Sequence, residues 1–513
     1  MNIIFRKMKR SINILISVVL IAVMAISCES DPIITSRDAN KPKNNDTPQI
    51  NTVSQFVYDG MSSFYLWADS MKNKKPASTD TDPKKYFNSV LSKTDILHGW
   101  SWITDDIDAL LADFKGETTG AFGFSPLALW SDNTKTRIIG FVRYVYPGTP
   151  AYNAGLKRGD VITHANGSVL NGNNYRILFG SNSETTFTVL DQNLINERQI
   201  KMTPATINTN PVLFADVFEI DGKKFGYLFY TNFITDYNES LYQVFSTFKQ
   251  AGVTDLILDL RYNPGGGISA ATYLASLIAP ENAVKNKEVF TIMSYNKFVN
   301  SEFDANKWDR NDYLGDYDAK FTNPLSANLN LNKVYIIATE FSYSASELIT
   351  HCLAPYMTVE HIGEKTGGKY TASWTIHAYN NYGGIVQNVY DESSLNATKK
   401  AELKNWAMQP IVGRYTDKNK VDFIATNGLI PDYPIESQEY NTKTWRPIGN
   451  TDDYLFAKAI SLITGRPYTT AALSTRSAAI QQFEDAGLHS QIENIYRDGV
   501  IIDNPTLLHP IHK

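Results

Sequence analysis

Val253-Thr254-Asp255-Leu256-Ile257-Leu258-Asp259-Leu260-Arg261-Tyr262-Asn263-Pro264-Gly265-Gly266-Gly267 is the stretch on which the fold turns. Val253–Leu260 is the apolar run of a strand buried on both faces. The glycines that follow make a turn, and Ile268–Ala279 reads as a helix. Upstream, Phe225–Phe229 is a strand and Glu239–Gln250 a helix stopped by Gly252. Downstream come a buried strand at Lys333–Thr339, a helix at Ser344–Leu353 and a strand at Met357–Ile362. Strands alternating with helices predict an α/β layer structure over residues 211–440.

Working outward, the pattern changes twice. Residues 116–210 are strand and turn: Arg137–Val145 is β-rich, Asn166-Gly167 is a two-residue hairpin signal and Thr185–Leu190 alternates. Pro147–Pro150 opens a short helix ending at Gly155. Residues 51–115 read as a small helical domain. Val53, Phe56, Val57, Met61, Phe64 and Tyr65 fall at helical spacing behind Asn51, a candidate cap. Asp82-Pro83 is an N-cap followed by an N1 proline, and Thr104 opens a third helix carrying Ile107, Leu110, Leu111 and Phe114. Residues 441–513 form a C-terminal extension with a helix at Asp453–Thr464, and the last fifty residues carry no assignment.

The length of 513 residues requires two or three domains. The charge, 48 basic against 53 acidic, is mild and evenly spread, which argues against a nucleic-acid partner. Two cysteines, Cys28 and Cys352, make no disulfide framework, and no zinc or phosphate-loop motif occurs, so no metal or cofactor is expected. Arg6, Lys7, Lys9 and Arg10 precede an apolar run from Ile12 to Ile26. That run, about 15 residues, is shorter than the about 20 that span a bilayer, and the pattern is that of a secretory signal. Ala25-Ile26-Ser27-Cys28 is similar to a bacterial lipobox. Residues 1–28 are therefore read as a lipoprotein signal with Cys28 as the lipidated residue, and 29–50 as a flexible tether. A plain signal peptide or an anchor helix is the alternative.

Three segments carry chemistry. The glycine turn at Asp259–Gly267 lets backbone N–H groups approach a cleft, although such turns also bind phosphate or merely turn. Phe341-Ser342-Tyr343-Ser344-Ala345-Ser346-Glu347 offers three serines at a helix start, where each competes to be a cap. Gly363-Glu364-Lys365-Thr366-Gly367-Gly368-Lys369 follows a strand.

Together these segments resemble the tail-specific, or C-terminal processing, serine proteases of peptidase family S41, whose fold is related to crotonase and ClpP. Asp-Leu-Arg-x-Asn-Pro-Gly-Gly matches Asp259–Gly266, the nucleophile segment matches Ser342–Glu347, and Gly-Glu-x-Thr-x-Gly-Lys matches Gly363–Lys369. Asn427–Asp432 resembles a late family signature, and Ala151–Gly167 resembles a PDZ domain. The implied fold is multidomain α+β: a helical N-terminal domain, a PDZ-like β domain and a ClpP/crotonase-type α/β catalytic domain.

The resemblance implies Ser344 as nucleophile and Lys369 as base, 25 positions on, with Gly265, Gly266 and Ala345 supplying the oxyanion hole. Many family members place a glutamine four residues past the base. Here that position is Ser373, a substitute orienter. Gly120, Gly123 and Phe124 fall where a PDZ domain captures a peptide tail.

A lysine with an ordinary pKa of about 10.4 is almost wholly protonated at pH 7, and burial must bring it to about 7–8 to act as a base. Tyr370, Trp374 and Ile376 are the expected dry surroundings. His351, seven residues along the helix from Ser344, is about 10 Å away and out of reach. His361 and His377 stay open as alternatives. The implied partners are flexible protein C-termini as substrates, a membrane through the N-terminal lipid, and a second copy of the chain in a homo-oligomer. The implied location is the cell envelope. A catalytically silent, peptide-binding lipoprotein and an esterase using the same serine are the competing readings.

Overall fold

The computed structural model describes residues 49–132, 134–468, 500–503 and 505–509. The signal, Cys28 and most of the tether lie outside the described residues, as does much of the C-terminal extension.

The run around Val253–Leu260 decides the architecture as its composition requires. Asp255–Asp259 lies inside a six-stranded sheet ordered Val212–Ile220, Lys223–Tyr230, Asp255–Asp259, Lys333–Ala338, Thr358–Gly363 and Tyr433–Pro434. The first pair is antiparallel and the others are parallel. Because side chains alternate across a strand, Leu256 and Leu258 enter one core and Ile257 the other. The first core takes the helices Asn238–Gln250, Ile268–Ile278 and Ala345–Leu353. The second takes the helix Tyr454–Thr464, whose Phe456 ring lies 4.2 Å from that of Tyr227.

That helix was expected in a separate extension. It instead covers one face of the central sheet, because Ile257, Ile337 and Ile362 would otherwise face water. Its cap, Asp453, is buried and accepts two hydrogen bonds from the equally buried Arg261, at 2.8 and 3.0 Å. Arg261 also donates to Asp259 at 2.7 Å, and Tyr227 Oη donates to the same carboxylate at 2.7 Å. One guanidinium thus locks the end of the central strand to the covering helix.

The helix Thr52–Phe64 forms behind Asn51, whose side chain accepts from Val53 N and Ser54 N at 3.0 Å each. Asp82 caps Pro83–Val90 in the same way. These helices do not form a core of their own: Phe56, Val57, Met61 and Phe64 join the first core of the central sheet. Nor is the region wholly helical. Trp102–Thr104 is a strand paired with Ala407–Gln409, so Thr104 ends a strand, and Asp106 caps the helix Ile107–Asp113 instead.

The PDZ-like sheet runs Phe124–Trp130, Ile138–Val145, Val161–Ala165, Thr185–Leu190 and Glu197–Met202, all antiparallel. Asn166 and Gly167, at φ 50° and 77°, make the tight turn their sequence demands. Its own core holds Val142, Ile162, Phe187 and Val189, while Leu127, Phe141 and Tyr144 reach into the second core. A third sheet joins Gly266–Gly267, Val500–Ile501, Thr371–Ser373, Ile411–Thr416, Val289–Tyr295 and Asn311–Tyr313. Cys352 is fully buried, a small apolar filler.

Burial alone would raise the Asp453 carboxyl, but the charge of Arg261 and its hydrogen bonds overcome this and hold it below the usual range. Asp453→Asn, which leaves Arg261 half compensated, is expected to cost about 3 kcal/mol at neutral pH in denaturant titrations. A depressed carboxyl stabilises above its unfolded pKa, so the gap between wild type and variant should shrink below about pH 4.

Candidate active site

The glycine turn, the serine segment and the lysine segment converge at the ends of three adjacent parallel strands, Asp255–Asp259, Lys333–Ala338 and Thr358–Gly363. Hydrogen bonds stitch the first two together. Ser342 Oγ donates to Leu260 O at 2.7 Å and Ser346 Oγ to Asn263 O at 2.8 Å. Tyr343 N donates to Asn263 O at 3.1 Å. Two of the three candidate serines are thereby spent on main-chain carbonyls of the turn.

Ser344 differs from both. It stands immediately before the helix Ala345–Leu353 with φ 59° and ψ −106°, a backbone region that costs an L-residue about 1–3 kcal/mol. Its neighbours hold it there: its carbonyl accepts from Leu348 N at 2.7 Å and from Tyr415 Oη at 3.2 Å. Gly265, at φ 118°, packs directly beside it. A Cβ on Gly265 would sit 3.0 Å from Ser344 Cβ and 3.1 Å from Ala345 N, crowding both on a backbone that L-residues rarely adopt.

The strongest tie runs through Glu347, one helical turn past Ser344 and fully buried. Its Oε2 accepts from Ser344 N at 2.7 Å and from Lys369 N at 2.8 Å. Its Oε1 accepts from Gly368 N at 2.7 Å and from Thr366 Oγ1 at 2.5 Å. One carboxylate therefore clamps the backbones of the candidate nucleophile and the candidate base together. Burial raises its pKa, and the four hydrogen bonds pull the other way. Tyr415 Oη, 3.0 Å from Lys369 O, spans the same two residues. Gly367 lies flat under the Tyr343 ring, where a Cβ would overlap it.

Other expected residues fall variously. Gly265 N donates to Asn263 Oδ1 at 2.9 Å, so that N–H is engaged in a bond the turn itself supplies. Ala345 N, at the first helical position, has no intrahelical acceptor and faces Gly265. Gly266 pairs with Val500 in the third sheet. Ser373 Oγ accepts from Gln409 Nε2 at 3.0 Å, and Gln409 in turn accepts from Thr375 Oγ1. Trp374 is buried, but its ring packs on Phe64 and Tyr295. His351 Nε2 lies 2.9 Å from Val421 O and His377 Nε2 3.0 Å from Lys404 O. His361 is buried, and burial lowers its pKa to about 4.

A cavity of about 540 Å³ lies between the PDZ-like sheet and these loops. Phe122, Gly123 and Phe124 line one side, and Pro264, Tyr343 and Lys369 line the other. Gly120 does not line it; its carbonyl accepts from Ser181 N at 2.9 Å. Lys369 is 4% exposed and Ser344 0%.

Glu347, Tyr415 and Gln409 were not singled out from sequence. Only Glu347 left a signal there: Ser344-Ala345-Ser346-Glu347 has the Ser-x-x-Glu spacing in which an N3 carboxylate reaches back to the N-cap N–H.

Comparison with known proteins gives these features a context. Residues 224–435 match the model for peptidase family S41, residues 52–102 that for the peptidase S41 N-terminal domain, and residues 141–173 that for a PDZ domain. A Staphylococcus aureus protein described as a CtpA-like serine protease is 25% identical over 317 residues, 60% of this chain and 53% of its own. A carboxyl-terminal-processing protease of Picosynechococcus is 23% identical over 326 residues, 62% of this chain and 65% of its own. The chain thus spans about half the length of the staphylococcal relative. A Bacteroides fragilis crystal structure assigned to the S41 proteases superimposes with a TM-score of 0.60 at 24% identity. It covers 80% of this chain and 97% of its own, so the fold is shared.

Glu347→Ala would strand three backbone donors and one hydroxyl without acceptors. Each buried orphan costs about 1–3 kcal/mol, so a loss of at least about 3 kcal/mol is expected in denaturant titrations. A wild-type midpoint in that variant would mean the clamp contributes nothing.

Proposed function

We propose, from the S41 domains and PDZ segment that this chain carries, that it is a serine endopeptidase cleaving flexible proteins near their C-termini without a cofactor. The observation that carries the reading is the Glu347 clamp, which gathers Ser344 and Lys369 from opposite ends of a helix–strand unit onto one carboxylate.

In this mechanism the neutral Lys369 amine takes the Ser344 hydroxyl proton as Oγ attacks the scissile carbonyl. The N–H groups of Ala345 and Gly266 receive the developing oxyanion, a contribution of about a hundredfold or more per donor. Lys369 returns its proton to the leaving amine, and an acyl ester remains on Ser344. A water molecule, deprotonated by Lys369, then hydrolyses that ester and restores the hydroxyl. Ser373, at the position where many relatives of this type carry a glutamine, is read as the base's orienter, and Gln409 supports it by donating to its hydroxyl. The PDZ-like loop at Gly123 and Phe124 presents the substrate tail to the same cavity. Cys28, once lipidated, would tether the enzyme in the cell envelope.

The complete burial of Ser344 favours a second element of the reading: the conformation described is closed, and substrate entry displaces Tyr343 or the PDZ-like sheet. A permanently silent binding protein would share that closed geometry.

The test uses protein lacking residues 1–28 with an unstructured protein as substrate. Ser344→Ala and Lys369→Ala should each reduce cleavage at least about a thousandfold. Labelling by a fluorophosphonate should disappear in Ser344→Ala. Wild-type protein that neither cleaves nor labels, yet binds the same tail, would establish the silent reading.

A further inference from the structure

The cavity beside Lys369 is also lined by Arg143, which no acidic side chain among the described residues answers. Phe124–Trp130 pairs with Ile138–Val145, and the register slips at one point: Ser125 opposes Tyr144, while Pro126 opposes Val142. Arg143 is the residue left over, a one-residue bulge. Bulges break the in-out alternation of a strand and re-aim a side chain.

Here the bulge turns Arg143 into the cavity wall. Its guanidinium lies 5.2 Å over the ring of Tyr262 and 5.4 Å over that of Phe341. Those two rings belong to the glycine turn and the serine segment, the two chain stretches that build the candidate site. Nε donates to Ser125 Oγ at 3.1 Å. Arg261 and Arg198 both find carboxylates, but among the described residues Arg143 forms no ion pair. Asp113 is the one carboxylate lining the cavity among the described residues.

The strand next to the bulge is also open. Phe124–Trp130 is the edge of its sheet, and Ser125, Pro126, Leu127 and Ala128 line the cavity along it. An extended peptide can add to such an edge. A guanidinium set against two rings, with Nε engaged by Ser125, offers the N–H fork that matches a carboxylate.

We propose that Arg143 binds a carboxylate of the peptide that enters this cavity, its terminal α-carboxylate in the first instance. The proposal rests on the protease reading above and supplies its selectivity for chain ends: a passing internal segment has no carboxylate at that point of its backbone. A glutamate side chain offers the same chemistry, so the experiment must separate the two.

The chain lacking residues 1–28, with Ser344→Ala to prevent turnover, would be titrated with three labelled peptides by fluorescence anisotropy. One ends in valine as the free acid, one in valine amide, and one in valine amide with a penultimate glutamate. With Arg143 present, amidation should weaken binding at least about tenfold. Arg143→Met should weaken the acid by a similar factor and leave the amide within about twofold, while Arg143→Lys should fall between them. Recovery of affinity by the glutamate peptide, lost in Arg143→Met, would assign the contact to side chains and still place it on Arg143. An acid-to-amide ratio unchanged in Arg143→Met, or identical affinities for all three peptides, overturns the proposal. Arg143→Lys keeps the charge on the bulge and so reads binding even if Arg143→Met folds poorly. Cleavage by protein with Ser344 intact is scored separately, so failure of the protease reading would appear there and not in the binding ratios.

Discussion

The arrangement at the heart of this molecule depends on one carboxylate buried where charge is expensive. Four donors to Glu347, three of them backbone N–H groups, make its burial tolerable. The reverse is equally true, since those donors would otherwise be orphans inside the protein. The strained backbone of Ser344, the approach of Gly265 and the flat packing of Gly367 under Tyr343 are all geometries that this clamp makes affordable. Tyr415 repeats the link from another strand, so the two loops are held by independent elements.

A second buried network joins the PDZ-like sheet to the same turn. Arg158 donates to Tyr262 Oη at 2.9 Å and to the carbonyls of Arg143 and Arg446, with its guanidinium 4.4 Å over the Trp445 ring. Tyr262 donates to Glu439, which also accepts from Tyr454 of the covering helix at 2.8 Å. The charge on Arg158 is thus spread over carbonyls, rings and a hydroxyl-linked carboxylate, with no direct ion pair among the described residues. The turn at Asp259–Gly267 is consequently braced from two sides, by Asp453 through Arg261 and by the PDZ-like sheet through Tyr262.

Much of this was legible in the sequence where the cause is local. Asn51 and Asp82 cap helices because their side chains reach only two or three residues ahead, and Asn166-Gly167 turns because both residues tolerate positive φ. The apolar run before the glycine turn announced a strand covered on both faces. What was illegible depends on distant pairing. Gln409 meets Ser373 from a strand 36 residues away, and nothing near Ser373 hints at it. Thr104 looked like a cap until pairing with Ala407 claimed it for a strand. Arg143 is aimed by a register slip that the alternation of Ile138–Val145 conceals, and Gly265 N is occupied by the side chain of its own turn.

The third sheet has a bearing on biosynthesis. Val500–Ile501 lies between Gly266–Gly267 and Ala372–Ser373, and Asp503 accepts from Ser269 Oγ at 2.8 Å and from Thr235. This strand follows nearly every other described element in the chain, so it leaves the ribosome after them. Until then the glycine turn and the strand carrying Ser373 lack the backbone partner that joins them. A growing polypeptide thus carries both loops in an unfinished frame.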